Sequence, residues 1–214
     1  MSHLDPQTRD LVRIAAAIAG ANEQTTREVM QQASQTAEAI LVDEVILQSY
    51  LFSGFPRALN AARTWRAVSS QRAPAGDDSA NAPHTKEWER RGEKTCARVY
   101  GQSYERLREN VRTLHPALDS WMITDGYGKV LSRPELDLRR RELCIVAACA
   151  ASGQQRQLHS HLHGALNSGS NGPELAAVLE SITDLVDARD LAAYRRLLSH
   201  VLSRRQSPPD GAFG

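Results

Sequence analysis

Residues 132–169 read SRPELDLRRRELCIVAACAASGQQRQLHSHLHGALNSG, and their spacing sets the fold. Asp137 stands just ahead of an apolar run, where a carboxylate oxygen can accept a hydrogen bond from a free first-turn amide of a helix. The run predicts a helix over 137–151. Ser152-Gly153 interrupts it, and a second helical pattern follows over 155–167. On a wheel of about 100° per residue, Leu138, Glu142, Ile145, Val146 and Cys149 share one arc. Glu142 therefore points where the apolar residues point. On the next helix Leu158, Leu162, Ala165 and Leu166 form the apolar stripe. His161 flanks that stripe on one side, and His159 and His163 flank it on the other, one turn apart.

The same periodicity extends outward in both directions. Ala, Leu, Arg, Glu and Gln dominate, and alternating β-branched runs are almost absent, which predicts an all-α chain. Toward the N-terminus, Asp5-Pro6 is a helix start before Leu11, Ile14, Ala15 and Ile18. Further helices are expected over 27–37, 38–52 and 57–68, with Gly54-Phe55-Pro56 as a break. Residues 69–84, rich in Ser, Ala, Pro, Asp and Gly, predict a flexible linker. Helices are then expected over 85–100, 104–112 and 115–125, the last ended by Gly126 and Gly128. Two more follow over 173–186 and 190–204, with a frayed tail over 206–214.

The 214 residues carry 26 Lys and Arg against 25 Asp and Glu, a net charge of +1. So balanced a chain disfavours a dedicated nucleic-acid or anionic-membrane surface. Cys96, Cys144 and Cys149 are odd in number and lack CxxC spacing, which argues against a disulfide framework or zinc site. The expectation is a reducing compartment. No apolar run is long enough to span a bilayer, and MSHLDPQTRD lacks a basic-then-apolar leader, so a cytoplasmic location is expected.

A carboxyl group on a buried arc needs a partner or a proton. Glu142 is thus either a structural acid satisfied by an arginine or backbone amides, or half of an acid–base pair with His161. His159 and His163 could form a two-ligand edge, but no HExxH or second Cys/His pair completes a metal site, and no metal is expected. Arg139, Arg140 and Arg141 fan around the helix start. A solvated start is the bland reading, and a carboxylate clamp using Arg141 is the functional one.

A weak internal repeat underlies the layout. Shifting Arg9–Ala33 onto Arg141–Ala165 pairs Arg9 with Arg141, Asp10 with Glu142 and Leu11 with Leu143, and superposes four alanines. His159, His161 and His163 then fall opposite Arg27, Val29 and Gln31, so only the second copy could carry histidine chemistry. The implied organisation is a degenerate N-terminal helical repeat over 1–68, a linker over 69–84, a main domain over 85–205 and the tail.

Three blocks, WERRGEKTCARVYG (88–101), YGKVLSRPELDLRRREL (127–143) and HLHGALNSG (161–169), resemble the carboxymuconolactone decarboxylase family in order and spacing. The likeness runs from Glu87 to about Tyr194. It implies an alkylhydroperoxidase D-like helical fold. It also implies a homo-oligomer, either a trimer with hexamer-like geometry, which suits a two-copy chain, or a hexamer. The implied activity is that of a cofactor-independent lyase on a small carboxylated lactone or related carbonyl compound. His161 falls on the family's helix histidine. Glu142 falls on the acid that alkylhydroperoxidase D proteins place upstream of a CxxCxxxH motif. The two cysteines of that motif are Gln154 and Gln157 here. Decarboxylases commonly carry Glu at the position of Gln157, and His163 stands where Arg is frequent. The implied site is catalytic His161 and Glu142, with Gln157, Arg141 and His163 binding substrate. Two alternatives stay open: peroxide reduction through a single thiol, Cys149 or Cys96, and a non-catalytic oligomeric ligand binder.

Overall fold

Helices account for all the regular structure among the described residues, 4–80 and 84–206, of a computed structural model. α1 (Pro6–Gly20) starts where Asp5 accepts from the Thr8 amide and hydroxyl at 2.9 and 2.7 Å. α2 spans Glu23–Ala33, four residues earlier than expected, because Asn22 caps it through the Thr25 amide. α3 runs Ala39–Ser69. The break expected at Gly54-Phe55-Pro56 is a kink within α3: Gly54 alone leaves helical geometry, at φ +78°. That left-handed conformation suits a residue without a Cβ.

α4 (Thr85–Tyr100), α5 (Tyr104–Leu114) and α6 (Pro116–Trp121) follow. Gly126 and Gly128 do not end the next helix. The chain continues in wide π-type turns over Met122–Leu131. The reason is close packing on α4, since a Cβ on Gly128 would come 1.9 Å from the Trp88 carbonyl oxygen, and one on Gly92 would come 2.0 Å from that of Ile123. The paired glycines let two backbones touch. α7 (Leu138–Ala151), α8 (Gln155–Asn167), α9 (Gly172–Ser181) and α10 (Ala188–Gln206) complete the chain. The tail expected over 206–214 falls, after Gln206, outside the described residues.

α7 is the axis of the core. Every residue from Arg141 to Ala150 is buried, so the single apolar arc expected for it is a full cylinder. α1, α3, α8 and α9 surround it. The alanines of its second half and those of α1 are small enough for close approach, and Gly20 lies against the Ala151 carbonyl. Replacing a fully buried Leu143 or Ile145 by Ala would cost about 2–5 kcal/mol. One core contains side chains from both sides of residues 69–84. α1 and α2 each begin 132 positions before α7 and α8.

The stretch expected as a flexible linker is tied down near Ser79. Its carbonyl accepts from the Trp88 indole at 3.1 Å, and its hydroxyl accepts from Arg133 at 2.7 Å. Arg133 also pairs with Asp77 at 2.9 Å.

Candidate active site

Glu142 reaches the site from the second turn of α7, and His161 from the middle of α8. His161 Nδ1 lies 2.8 Å from Glu142 Oε2. The carboxylate is fully buried and the imidazole nearly so. Gly164, one turn after His161, makes room for the pair, since a Cβ there would come 2.6 Å from Oε2. Glu142 Oε1 has no hydrogen-bond partner among the described residues. A carboxylate held on Nδ1 fixes the imidazole tautomer and leaves Nε2 as the exchangeable position. Phe52 packs edge-on against the ring at a centroid distance of 5.6 Å.

His161 opens onto a cavity of about 860 Å³. The kinked α3 supplies Leu47, Tyr50, Leu51, Phe52 and Phe55 to one wall. The π-turn segment supplies Met122, Asp125, Tyr127, Lys129 and Leu131 to another, with Tyr100, Leu118 and Trp121 between them. The widened turns thus serve the cavity as well as the contact with α4, and such turns are frequent at functional sites. The walls are mainly aromatic and aliphatic, with a few polar groups, as ligand pockets are.

Tyr100 and Tyr127 meet edge-to-face at 6.2 Å beside this cavity. Burial pushes the Tyr100 phenol up to about 12, partly offset by its hydrogen bond with Tyr127, and burial likewise raises Tyr127. Both therefore stay protonated, as neutral donors at neutral pH. Neither was singled out from sequence, although Tyr100 is the penultimate residue of one quoted block and Tyr127 opens the next. Lys129 was missed as well. It lines the cavity, and its ammonium lies 5.1 Å from the centre of the Trp88 ring, a cation–π contact.

The other expected substrate contacts do not assemble here. Arg141 is fully buried and points away, donating to Glu44 at 2.7 Å, Gln48 at 3.3 Å and the Leu136 carbonyl at 3.0 Å. Arg133 completes the cluster, with its Nε 2.9 Å from both Glu44 oxygens. Both the solvated start and the carboxylate clamp fail for Arg141, because Glu44 and Gln48 are one turn apart on α3 and face it. Gln157 is exposed outside the cavity. His163 lies on the opposite flank of α8, in a different groove with His159. Helical phase separates His163 from His161, whereas Gln157, one turn before His161, lies beyond the cavity lining.

Cys96, Cys144 and Cys149 are buried, and burial pushes each thiol up to about 12. A nucleophilic or peroxidatic thiol needs thiolate character and access, and these have neither. The single-thiol peroxidase alternative loses its reacting group.

Residues 116–197 match the model of the carboxymuconolactone decarboxylase family. Two curated relatives share the name Peroxisomal protein 2. That of Schizosaccharomyces pombe is 30% identical over 129 residues, covering 59% of this chain and 60% of its own. That of Saccharomyces cerevisiae is 25% identical over 160 residues, covering 63% and 56%. The chain thus spans less than two thirds of the length of either.

Proposed function

We propose, for a chain whose residues 116–197 match the carboxymuconolactone decarboxylase family, cofactor-independent acid–base catalysis by His161 on a small carboxylated lactone or related carbonyl compound. One observation carries the reading: a buried Glu142–His161 contact of 2.8 Å opens onto a largely apolar cavity that also holds a lysine and three protonated phenols, Tyr50, Tyr100 and Tyr127. Loss of CO₂ breaks a carbon–carbon bond and sends its electron pair into the neighbouring carbonyl system. The resulting enolate must be stabilised and then protonated on carbon. His161 supplies that proton through Nε2, and Glu142 stabilises the charge on the ring as it changes. Tyr100 and Tyr127 are placed to donate to the developing oxyanion. Lys129, the one lysine or arginine lining the cavity among the described residues, replaces Arg141 as the proposed partner of the substrate carboxylate.

The homo-oligomer belongs to the same proposal. Phe55, Leu118 and Trp121 rim the cavity and are 64%, 48% and 59% exposed. A contiguous apolar rim of this kind fits burial against a second copy. No helix among the described residues is long and apolar enough to cross a membrane. The relatives' name makes a peroxisomal location the rival of the cytoplasmic one. Imaging the tagged chain against a peroxisomal marker decides between them.

The function is tested by assaying CO₂ release from a panel of carboxylated lactones and β-keto acids with wild type and His161→Ala. Turnover should vanish in the variant while its oligomer mass is unchanged. Undiminished turnover would sink the assignment.

A further inference from the structure

The face of α8 opposite His161 lines a second groove of about 700 Å³, bounded by the end of α4, α5 and α10. Six cationic or protonatable side chains converge on it: Arg106, His159, His163, His200, Arg204 and Arg205. Among the described residues no carboxylate lines it, and none of the three arginines is paired with an acid. In a chain with a net charge of +1, this local excess is a property of the fold rather than of composition. Arg205 donates to Asn167, whose own amide donates to the Val99 carbonyl at 2.8 Å, so its guanidinium is held at the groove. The His159 and His163 rings lie 5.0 Å apart.

We propose that this groove binds a phosphorylated small molecule, its phosphate held by Arg106, Arg204 and Arg205 with the histidines as further donors. Guanidinium forks match tetrahedral phosphate oxygens bidentately, and a multiply charged anion relieves the repulsion among clustered cations. Burial lowers the His163 pKa, and neighbouring His159 and Arg205 lower it further. A bound anion reverses the electrostatic part of that penalty. The groove is larger than phosphate alone, and Val99, Leu107 and Val201 give an organic body an apolar wall. A metal ion does not suit the site: the arginines repel it, and among the described residues no three His, Cys, Asp or Glu side chains are grouped to hold one. Nucleic acid does not suit it either, because the charge is confined to one groove instead of forming an extended stripe. Tyr100 alone lines both this groove and the His161 cavity.

The test is calorimetric titration of the full chain with pyrophosphate, inorganic phosphate and citrate, in wild type, Arg106→Gln/Arg205→Gln and His161→Ala. Pyrophosphate should saturate one site per chain and bind more tightly than citrate. The double variant should weaken it about tenfold or more, given what charge-assisted hydrogen bonds contribute. His161→Ala should bind as wild type does, so this outcome is independent of the catalytic assignment. Should the double variant unfold, the exposed Arg106→Gln alone must still weaken binding. Absence of saturable binding, equal affinity in the variants, or tighter citrate binding overturns the proposal. So does loss of the oligomer in the arginine variants with pyrophosphate affinity unchanged, which would make the groove a subunit contact.

Discussion

Gly164 lies directly beneath the carboxylate of Glu142, so that a Cβ on it would come 2.6 Å from Oε2 and 2.7 Å from a Val99 methyl. The hydrogen at this position on α8 is what lets an acid from α7 reach an imidazole across the helix interface. Gly164→Ala removes that space in a packed interior. The expected result is a loss of about 1–3 kcal/mol of stability, together with a fall in kcat greater than that of a comparable overpacking variant away from the site. Denaturant melts and steady-state rates check it, and a variant with wild-type kcat would separate the pair from catalysis.

Glu142→Gln keeps the shape but removes the charge that stabilises protonated His161. We expect kcat to fall by about 10²–10⁴, the range for a disabled general acid–base group. Steady-state rates measure it, and an unchanged kcat would leave Glu142 a purely structural acid.

The Arg141–Glu44 pair predicts the opposite split. Both groups are buried, at 0% and 1% side-chain exposure, 2.7 Å apart. Removing one partner strands a buried charge, so Arg141→Met should cost about 3–5 kcal/mol. KM should stay as in wild type under conditions where the variant is folded. A specific rise in KM would return Arg141 to the substrate site.

The thiols, pushed up to about 12 by burial, should resist modification in the folded protein. At pH 8 thiolate is scarce in every one of them, and a disulfide reagent should titrate them only after denaturant is added. Intact mass after hydroperoxide treatment should be unchanged. Prompt addition of oxygen at Cys96 or Cys149 would revive the peroxidase reading.

Asp119 gives a pH prediction with a definite sign. Hydrogen bonds and charge from Arg108, aided by Arg112, hold its carboxyl below the ordinary 3.8. A group whose folded pKa is depressed contributes stability above its unfolded pKa and loses it as pH falls toward the folded value. The stability gap between wild type and Asp119→Asn should therefore be constant at neutral pH and close below about pH 4. Urea melts across that range measure it, and a gap independent of pH would refute the linkage.

Much of this molecule is written in local patterns. Asp5 and Asp137 cap helices by reaching an amide three residues on, and such contacts need no knowledge of the rest of the fold. Helical phase likewise put His161 on one flank of α8 and His159 and His163 on the other. The site's walls were not legible in this way. Tyr100, Tyr127 and Lys129 are far from His161 in sequence, and the turns carrying two of them are widened by a Gly92–Gly128 contact between separate helices. Arg141 was misread because Glu44, its partner, lies nearly a hundred positions earlier on a helix with no sequence cue to its neighbour.

By itself, then, the order of residues determined the helices, their caps and the Glu142–His161 candidate, since these rest on periodicity and short-range hydrogen bonds. Only tertiary structure decided that α7 is buried all round, that Arg141 is a core ion, and that the three histidines of α8 divide between two cavities. Burial, cavity walls and ion pairing depend on which distant segments meet, and that is set by packing.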